Sequence, residues 1–181
     1  SVGNKLDVAG NTKTTNFQMT AGANPNYILQ SDASGNASWV QNPINTLSVV
    51  RINLSTPQIL VTSGWQKVTF DTELFDTNNE FDTTTNRFVA TKAGYYRVNA
   101  SIHTNSQSNN QLYSVGIRVN GNLYQQTTAN HFGNGPVDRS VNCIVSLSAN
   151  DYLEVFVENW QTGVDVDNFV GKTVFEIEQI R

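Results

Sequence analysis

NNEFDTTTNRFVATKAGYYRV, residues 78–98, is the stretch on which the fold reading turns. It reads as a turn, a short strand, a tight reversal and then a long strand in strict alternation. Phe81 and Phe88 bracket a polar Thr/Asn loop, and Lys92-Ala93-Gly94 supplies the reversal before Tyr95-Tyr96. A residue without Cβ takes a left-handed turn conformation freely, so Gly94 is expected to occupy one. Such a run belongs in an all-β sandwich.

Downstream and upstream of this stretch the same grammar repeats. From Leu47 onward the strand candidates are Leu47–Leu54, Gln58–Val61, Trp65–Phe70, Arg87–Thr91, Tyr95–Thr104, Leu112–Asn120, Leu123–Ala129, Arg139–Leu147, Tyr152–Trp160 and Thr173–Ile180. Tyr96, Val98, Ala100 and Ile102 share one face, and Tyr113, Val115, Ile117 and Val119 repeat the period of two. No segment with helical period is long enough to compete. About ten short strands between turn signals mean a sandwich or jelly roll. Tight connections (Lys92–Gly94, Asn120-Gly121-Asn122, Ser148–Asp151) alternate with longer polar ones (Asn105–Gln111, Asn130–Asp138, Gln161–Lys172). If each strand crosses the sandwich, the tight turns share one end and the long loops the other, where binding sites tend to lie.

Residues 1–45 differ in kind. They are rich in Gly, Asn, Thr and Ser, with short apolar touches at Leu6, Val8, Phe17, Met19, Tyr27-Ile28-Leu29 and Trp39-Val40. Two hairpin signals, Ala9-Gly10-Asn11 and Ala33-Ser34-Gly35-Asn36, are flanked by possible strands. So few apolar residues cannot cover a core in one chain. The segment is expected to be a thin β-rich stalk in which three chains share the apolar positions, or else a linker. Residues 46–181 form the head.

Composition narrows the function classes. Charged residues make up 14% of the 181, and the net charge is −4, which gives no electrostatic reason to bind nucleic acid or an anionic membrane. Polar, uncharged surfaces of this sort occur in extracellular and virion-associated β proteins. No apolar run approaches the ~20 residues of a membrane helix. The single cysteine, Cys143, alternates with Val141, Val145 and Leu147 and is expected to be a buried thiol. The chain opens on Ser1, which suggests a fragment or a processed product.

Catalytic signatures are missing: there is no HExxH, CxxC, GxSxG or P-loop, and His103 and His131 each stand alone in sequence. The chain is therefore read as no enzyme. Ligand contact is expected from Trp160, Asn168, Phe169, His131, Phe132 and Asn109, because aromatic planes beside amides suit sugars; sandwich packing is the competing reading for Trp160 and Phe169. Asp165-Val166-Asp167-Asn168 offers oxygens at a spacing that suits Ca²⁺ at Asp165 and Asp167, while an Asx-turn cluster in solvent explains the same residues without the full EF-hand pattern. Asp71, Glu73, Asp76, Glu80 and Asp82 read as a solvated loop face. In 152–158, Leu153, Val155 and Val157 form a core face, leaving Tyr152 and Phe156 outward among Glu154 and Glu158.

From about Ser63 to Arg181 the chain resembles the C1q/TNF-like family of trimeric jelly-roll domains. The residues that carry the resemblance are Phe81-Asp82, Arg87-Phe88, Ala93-Gly94-Tyr95-Tyr96, Asn120-Gly121, Leu147 through Asp151-Tyr152-Leu153-Glu154-Val155, and Phe169-x-Gly171. Asn150 stands where the family commonly has Gly, Arg97 replaces an aromatic, and no Gly-X-Y repeat precedes the domain. Separately, YILQSDASGNASWV (27–40) resembles a short element that precedes the terminal domain of bacteriophage fibres and some bacterial surface proteins. The resemblance implies a ten-stranded C1q/TNF-like jelly-roll sandwich that is homotrimeric, with its termini at the stalk end and ligand recognition at the other. Trimer contacts are expected at Tyr95, Tyr152 and Phe156, with ordinary surface aromatics as the alternative. The leading expectation is a receptor-binding head of a viral or phage fibre, at the virion surface, recognising a host receptor, protein or glycan. The runner-up is a structural or secreted module of a bacterial surface layer, or a cytokine-like ligand.

Overall fold

The computed structural model describes residues 9–42, 47–61, 63–169 and 171–180. The chain divides into two compact units, Ser1–Asn45 and Thr46–Arg181. The division itself, and the Leu6 and Val8 positions that flank the first hairpin signal, lie outside the described residues.

In the first unit, β1 (Tyr27–Ser31) and β2 (Ala37–Gln41) pair antiparallel as one hairpin. Asp32 fixes its turn: Oδ1 accepts from the backbone N–H of Ser34 (2.9 Å) and Asn36 (2.8 Å), Oδ2 accepts from the Asn36 amide (3.0 Å), and Gly35 takes φ +84°. The Trp39 indole donates to the Met19 carbonyl at 2.8 Å. None of residues 9–42 is buried; Phe17 is 74% exposed, and Ile28 and Leu29 about 40%. A lone hairpin offers no second layer against which to bury them.

The second unit contains β3 (Val49–Asn53), β4 (Gln58–Leu60), β5 (Gly64–Lys67), β6 (Thr72–Asp76), β7 (Phe81–Asp82), β8 (Arg87–Val89), β9 (Gly94–Gln107), β10 (Gln111–Val119), β11 (Asn122–His131), β12 (Gly135–Leu147), β13 (Tyr152–Asn159), β14 (Val164–Val166) and β15 (Val174–Ile180). They form a six-stranded sheet in the order β11-β10-β13-β8-β7, with β5 also on β13, and a seven-stranded sheet in the order β4-β14-β9-β15-β3-β6, with β12 on the other edge of β9. The result is a C1q/TNF-like jelly-roll sandwich.

The ten expected strands are present, and three short ones join them. β6 buries none of its residues, so alternation could not reveal it; β7 is two residues long; β14 sits inside a polar loop. The core lies where the period of two placed it. Tyr96, Val98, Ala100 and Ile102 on β9 face Val115 and Ile117 on β10 and Leu153 and Val157 on β13, and all are essentially inaccessible. Phe81 and Phe88 stand opposite each other in the β7–β8 pairing, and their rings meet Phe175 and Tyr96 edge-on, at 6.2 and 5.7 Å between centroids. Cys143, expected to be buried, is only half-buried against this core; among the described strands β12 is hydrogen-bonded as a ladder to β9 alone.

Two expectations need correction. Gly94 does not take a positive φ; what favours glycine there is a close approach, since a Cβ would lie 2.9 Å from Nε2 of Gln179. Among the described residues of the head, the positive-φ positions not held by glycine are Asn79, Asn86, Asn110, Asn120 and Asn150, the last at φ +74° where the family commonly has Gly. The acidic stretch is not uniformly solvated either. Glu80 is buried and accepts from the Thr91 backbone N–H (2.9 Å) and hydroxyl (2.5 Å), while Asp76 Oδ2 caps the N–H groups of Glu80 and Phe81.

Candidate functional site

The tight turns gather at one end of the head. Asn120 donates its backbone N–H to the Tyr152 carbonyl and its amide to Asp151. Ala90 donates its backbone N–H to the Asp151 carbonyl and accepts from the Asn150 N–H. The longer connections gather at the opposite end, but two are shorter than expected. β9 runs on to Gln107 and β12 begins at Gly135, paired with each other, so the loops shrink to 108–110 and 132–134. Polar side chains do not prevent a ladder whose backbone groups are all satisfied.

This end brings four of the expected ligand residues into one neighbourhood. Asn110 donates its N–H to the His131 carbonyl at 2.6 Å, and Asn109 Oδ1 accepts from the Gly133 N–H at 2.8 Å. Gln161, next to Trp160, accepts the Ser108 N–H at 2.9 Å. Asn109, His131, Phe132 and Trp160 thus surround two adjoining turns, with Phe132 82% and Trp160 64% exposed. Exposed aromatics of this size on a rigid, cross-bonded frame are what a contact surface requires.

Asn168 and Phe169 form a second group at the same end. The Asn168 amide donates to the Ser55 carbonyl at 2.7 Å, so part of its hydrogen-bonding capacity holds the loop in place. Phe169 lies 6.0 Å from the His103 ring and beneath Lys172, whose Nζ is 5.1 Å from the ring centre. His103, solitary in sequence, has a partner across the β9–β12 ladder: its Nδ1 lies 2.6 Å from Asp138 Oδ1. Burial opposes ionisation of Asp138, but the hydrogen bond and charge of His103 and the charge of Lys172 outweigh it and hold the carboxyl below the usual carboxylate range.

Asp165 and Asp167 flank a buried Val166 at the end of β14. Asp167 Oδ2 accepts from the Asn105 amide at 2.9 Å, and its N–H donates to the His103 carbonyl. Among the described residues no three His, Cys, Asp or Glu side chains converge as metal ligands.

The expected interface residues fall on opposite faces of the sandwich. Tyr95 is 61% exposed on the outer face of the seven-stranded sheet, near Ile144 on β12 at 56%. Tyr152 and Phe156 lie on the outer face of the six-stranded sheet, each beneath an arginine: Arg87 sits 4.2 Å from the Tyr152 ring centre and Arg118 3.9 Å from that of Phe156. Between them Glu154, expected in solvent, is buried. Its Oε1 accepts from Lys67 Nζ (2.6 Å) and Arg87 Nε (2.8 Å). Burial raises its pKa, but these two bonds prevail and hold it below the ordinary value.

Sequence reasoning missed Glu154, Asp138, Trp65 and Glu158 as members of clusters, because each depends on cross-strand register. Trp65 stands opposite Glu158 and leans across Gly116, where a Cβ would lie 2.9 Å from both the indole and Leu123.

A C1q domain model matches residues 53–175. Among curated proteins, the chain is 32% identical over 148 residues to the phage-like element PBSX protein XkdV of Bacillus subtilis (strain 168), a match that covers 76% of this chain and 21% of that protein. It is 28% identical over 131 residues to the uncharacterized protein YqcC of the same strain, covering 68% of this chain and 35% of the other. The chain therefore spans about a fifth to a third of these relatives' length. Two solved structures share the fold: the globular domain of zebrafish complement 1qA protein (16% identity, TM-score 0.53, 74% of this chain and 98% of that one) and murine APRIL at pH 5.0 (9% identity, TM-score 0.57, 74% and 99%). The sandwich topology and the family match agree, and the chain belongs to the C1q domain family.

Proposed function

We propose that this chain is the non-enzymatic, trimeric recognition head of a viral or phage fibre or related surface protein, and that it binds a host cell-surface molecule through its long-loop end. The observation that carries the reading is the concentration of exposed aromatics there, Phe132 and Trp160 on turns cross-bonded to one another and Phe169 on the neighbouring loop. Likeness to a protein of a phage-like element supports a virion setting. No helix among the described residues is long and apolar enough to cross a membrane.

Trimerisation is supported by surface that one copy leaves uncovered. β11 is exposed along almost its whole length although it edges a sheet. On the outer face of the seven-stranded sheet, Tyr95, Ile144 and Phe75 are about half exposed or more, and a hollow of about 240 Å³ opens between Val49, Phe75, Arg97 and Glu176. In a closed ring of three, two different patches of each copy meet, so interface residues on opposite faces are compatible with one symmetric assembly. The unburied apolar residues of the first unit fit the same arrangement, as a stalk built from three chains. Three copies also raise avidity without strengthening any single contact. Calcium at Asp165 and Asp167 would need further oxygen ligands from neighbouring carbonyls or a second copy.

The test is competition. Excess soluble chain should reduce attachment of the intact particle to its host cells, and a chain in which Phe132, Trp160 and Phe169 are replaced by Ala should compete much less. Unchanged attachment at saturating soluble chain would refute the recognition reading.

A further inference from the structure

A hydrogen-bonded row crosses the outer face of the six-stranded sheet close to the long-loop end. Thr128 on β11 donates its hydroxyl to Ser114 Oγ on β10 at 2.9 Å, and Ser114 donates to Glu158 Oε2 on β13 at 3.2 Å. The register places these residues opposite one another, with Trp65 of β5 opposite Glu158 on the far side. Ser114 is fully buried, so one carboxylate oxygen is tied to the sheet. Two residues further along the same face, just past the end of β13, stands Trp160. Glu158 and Trp160, with Ser63 and Gly64, line an open hollow of about 330 Å³. Gly64 takes φ +97° and a Cβ there would meet nothing within 4 Å, so the backbone beside the indole presents no side chain.

We propose that this hollow is a subsite for one neutral pyranose ring at the end of a glycan. This rests on the recognition reading above and names the ligand class for one part of that surface. An exposed indole offers a flat apolar face to the C–H groups of a sugar. A carboxylate held in place by Ser114 accepts from vicinal hydroxyls, and the Ser63 hydroxyl can donate or accept. The volume suits one ring rather than an extended chain. Glu158 disfavours acidic sugars, and the cations on this face are already engaged: Arg87 and Lys67 with Glu154, Arg118 over Phe156. A quaternary ammonium group is a poorer fit, because it calls for several aromatic walls and the hollow has one.

The experiment titrates the full chain with labelled neutral oligosaccharides (glucose-, galactose- and N-acetylglucosamine-terminated), with sialylated oligosaccharides and with choline. Saturable binding of at least one neutral glycan is expected. Trp160→Ala and Glu158→Gln should each weaken it about tenfold or more, the loss of a stacked ring or of a charge-assisted hydrogen bond. Trp160→Phe keeps an aromatic plane and should retain most of the affinity; Ser148→Ala, at the tight-turn end, should change nothing. Circular dichroism of each variant separates lost binding from lost folding. Binding of sialylated glycan or choline in preference, or neutral-glycan binding that Trp160→Ala leaves intact, overturns the proposal. So does silence across the whole panel; if the soluble chain still competes for host cells in that case, the subsite falls while the recognition reading stands.

Discussion

Replacing Glu154 by Gln tests whether the outer face of the six-stranded sheet is held by charge. Glu154 is 4% exposed and gives a single oxygen to two cations, Lys67 Nζ at 2.6 Å and Arg87 Nε at 2.8 Å. Gln keeps the shape and one acceptor but removes the charge. A charge-assisted hydrogen bond contributes about 1.5–3 kcal/mol, against about 0.5–1.5 for a neutral one. Two bonds downgraded in this way amount to about 2–3 kcal/mol. Lys67 and Arg87 are 25% and 37% exposed and recover some hydration, which favours the lower end, about 2 kcal/mol. For a chain of this size that corresponds to a melting point lower by about 4–8 °C. The assay is thermal and urea unfolding at fixed protein concentration, because association shifts apparent stability. The pH dependence adds a second constraint. The folded pKa of Glu154 lies below its unfolded value of about 4.5, so its contribution is complete above that pH and is lost as pH falls through the folded value. The gap between Glu154→Gln and the natural sequence should therefore be full at pH 7 and close below pH 4.5. A gap under about 0.5 kcal/mol at pH 7, or one that persists undiminished at pH 3, would refute the ion-pair account.

Two further substitutions probe close approaches. Gly116→Ala places a methyl 2.9 Å from Trp65 and Leu123, within a packed layer, and should cost about 1–3 kcal/mol and shift the indole emission; an unchanged spectrum and stability would show that Trp65 does not lie across this position. Gly94→Ala should be mild, about 1 kcal/mol or less, because its φ is ordinary and only the flexible end of Gln179 must move; a loss well beyond that in urea unfolding would restore the left-handed turn expected from sequence.

The fold was readable wherever burial imposed a period of two. β9, β10 and β13 each carry an unbroken inward row, and those rows became the core. Where a strand buries nothing, as in β6, or spans two residues, as in β7, there is no periodicity to see. β14 is different: Val164 and Val166 are fully buried around Asp165, so the alternation is present in sequence, but three residues in a polar, carboxylate-bearing loop are too few to mark a strand. The site was legible only as a set of residue types. Asn109, His131, Phe132 and Trp160 do assemble at one end, since loop alternation carries that information. Partners such as His103 with Asp138, or Thr128 with Ser114 and Glu158, depend on register, and one residue of slip would exchange the faces. Gly94 shows that a glycine at a turn can be favoured by close packing with no left-handed backbone behind it.

The most direct check on the whole account is the mass of the purified chain in solution by sedimentation or multi-angle light scattering at micromolar concentration. A trimeric head should have about three times the 20.0 kDa of one chain, and Ile144→Glu, which places a charge on the exposed face beside Tyr95, should shift it toward the single-chain mass. A natural chain that sediments at 20.0 kDa would contradict the trimeric head and the shared stalk together.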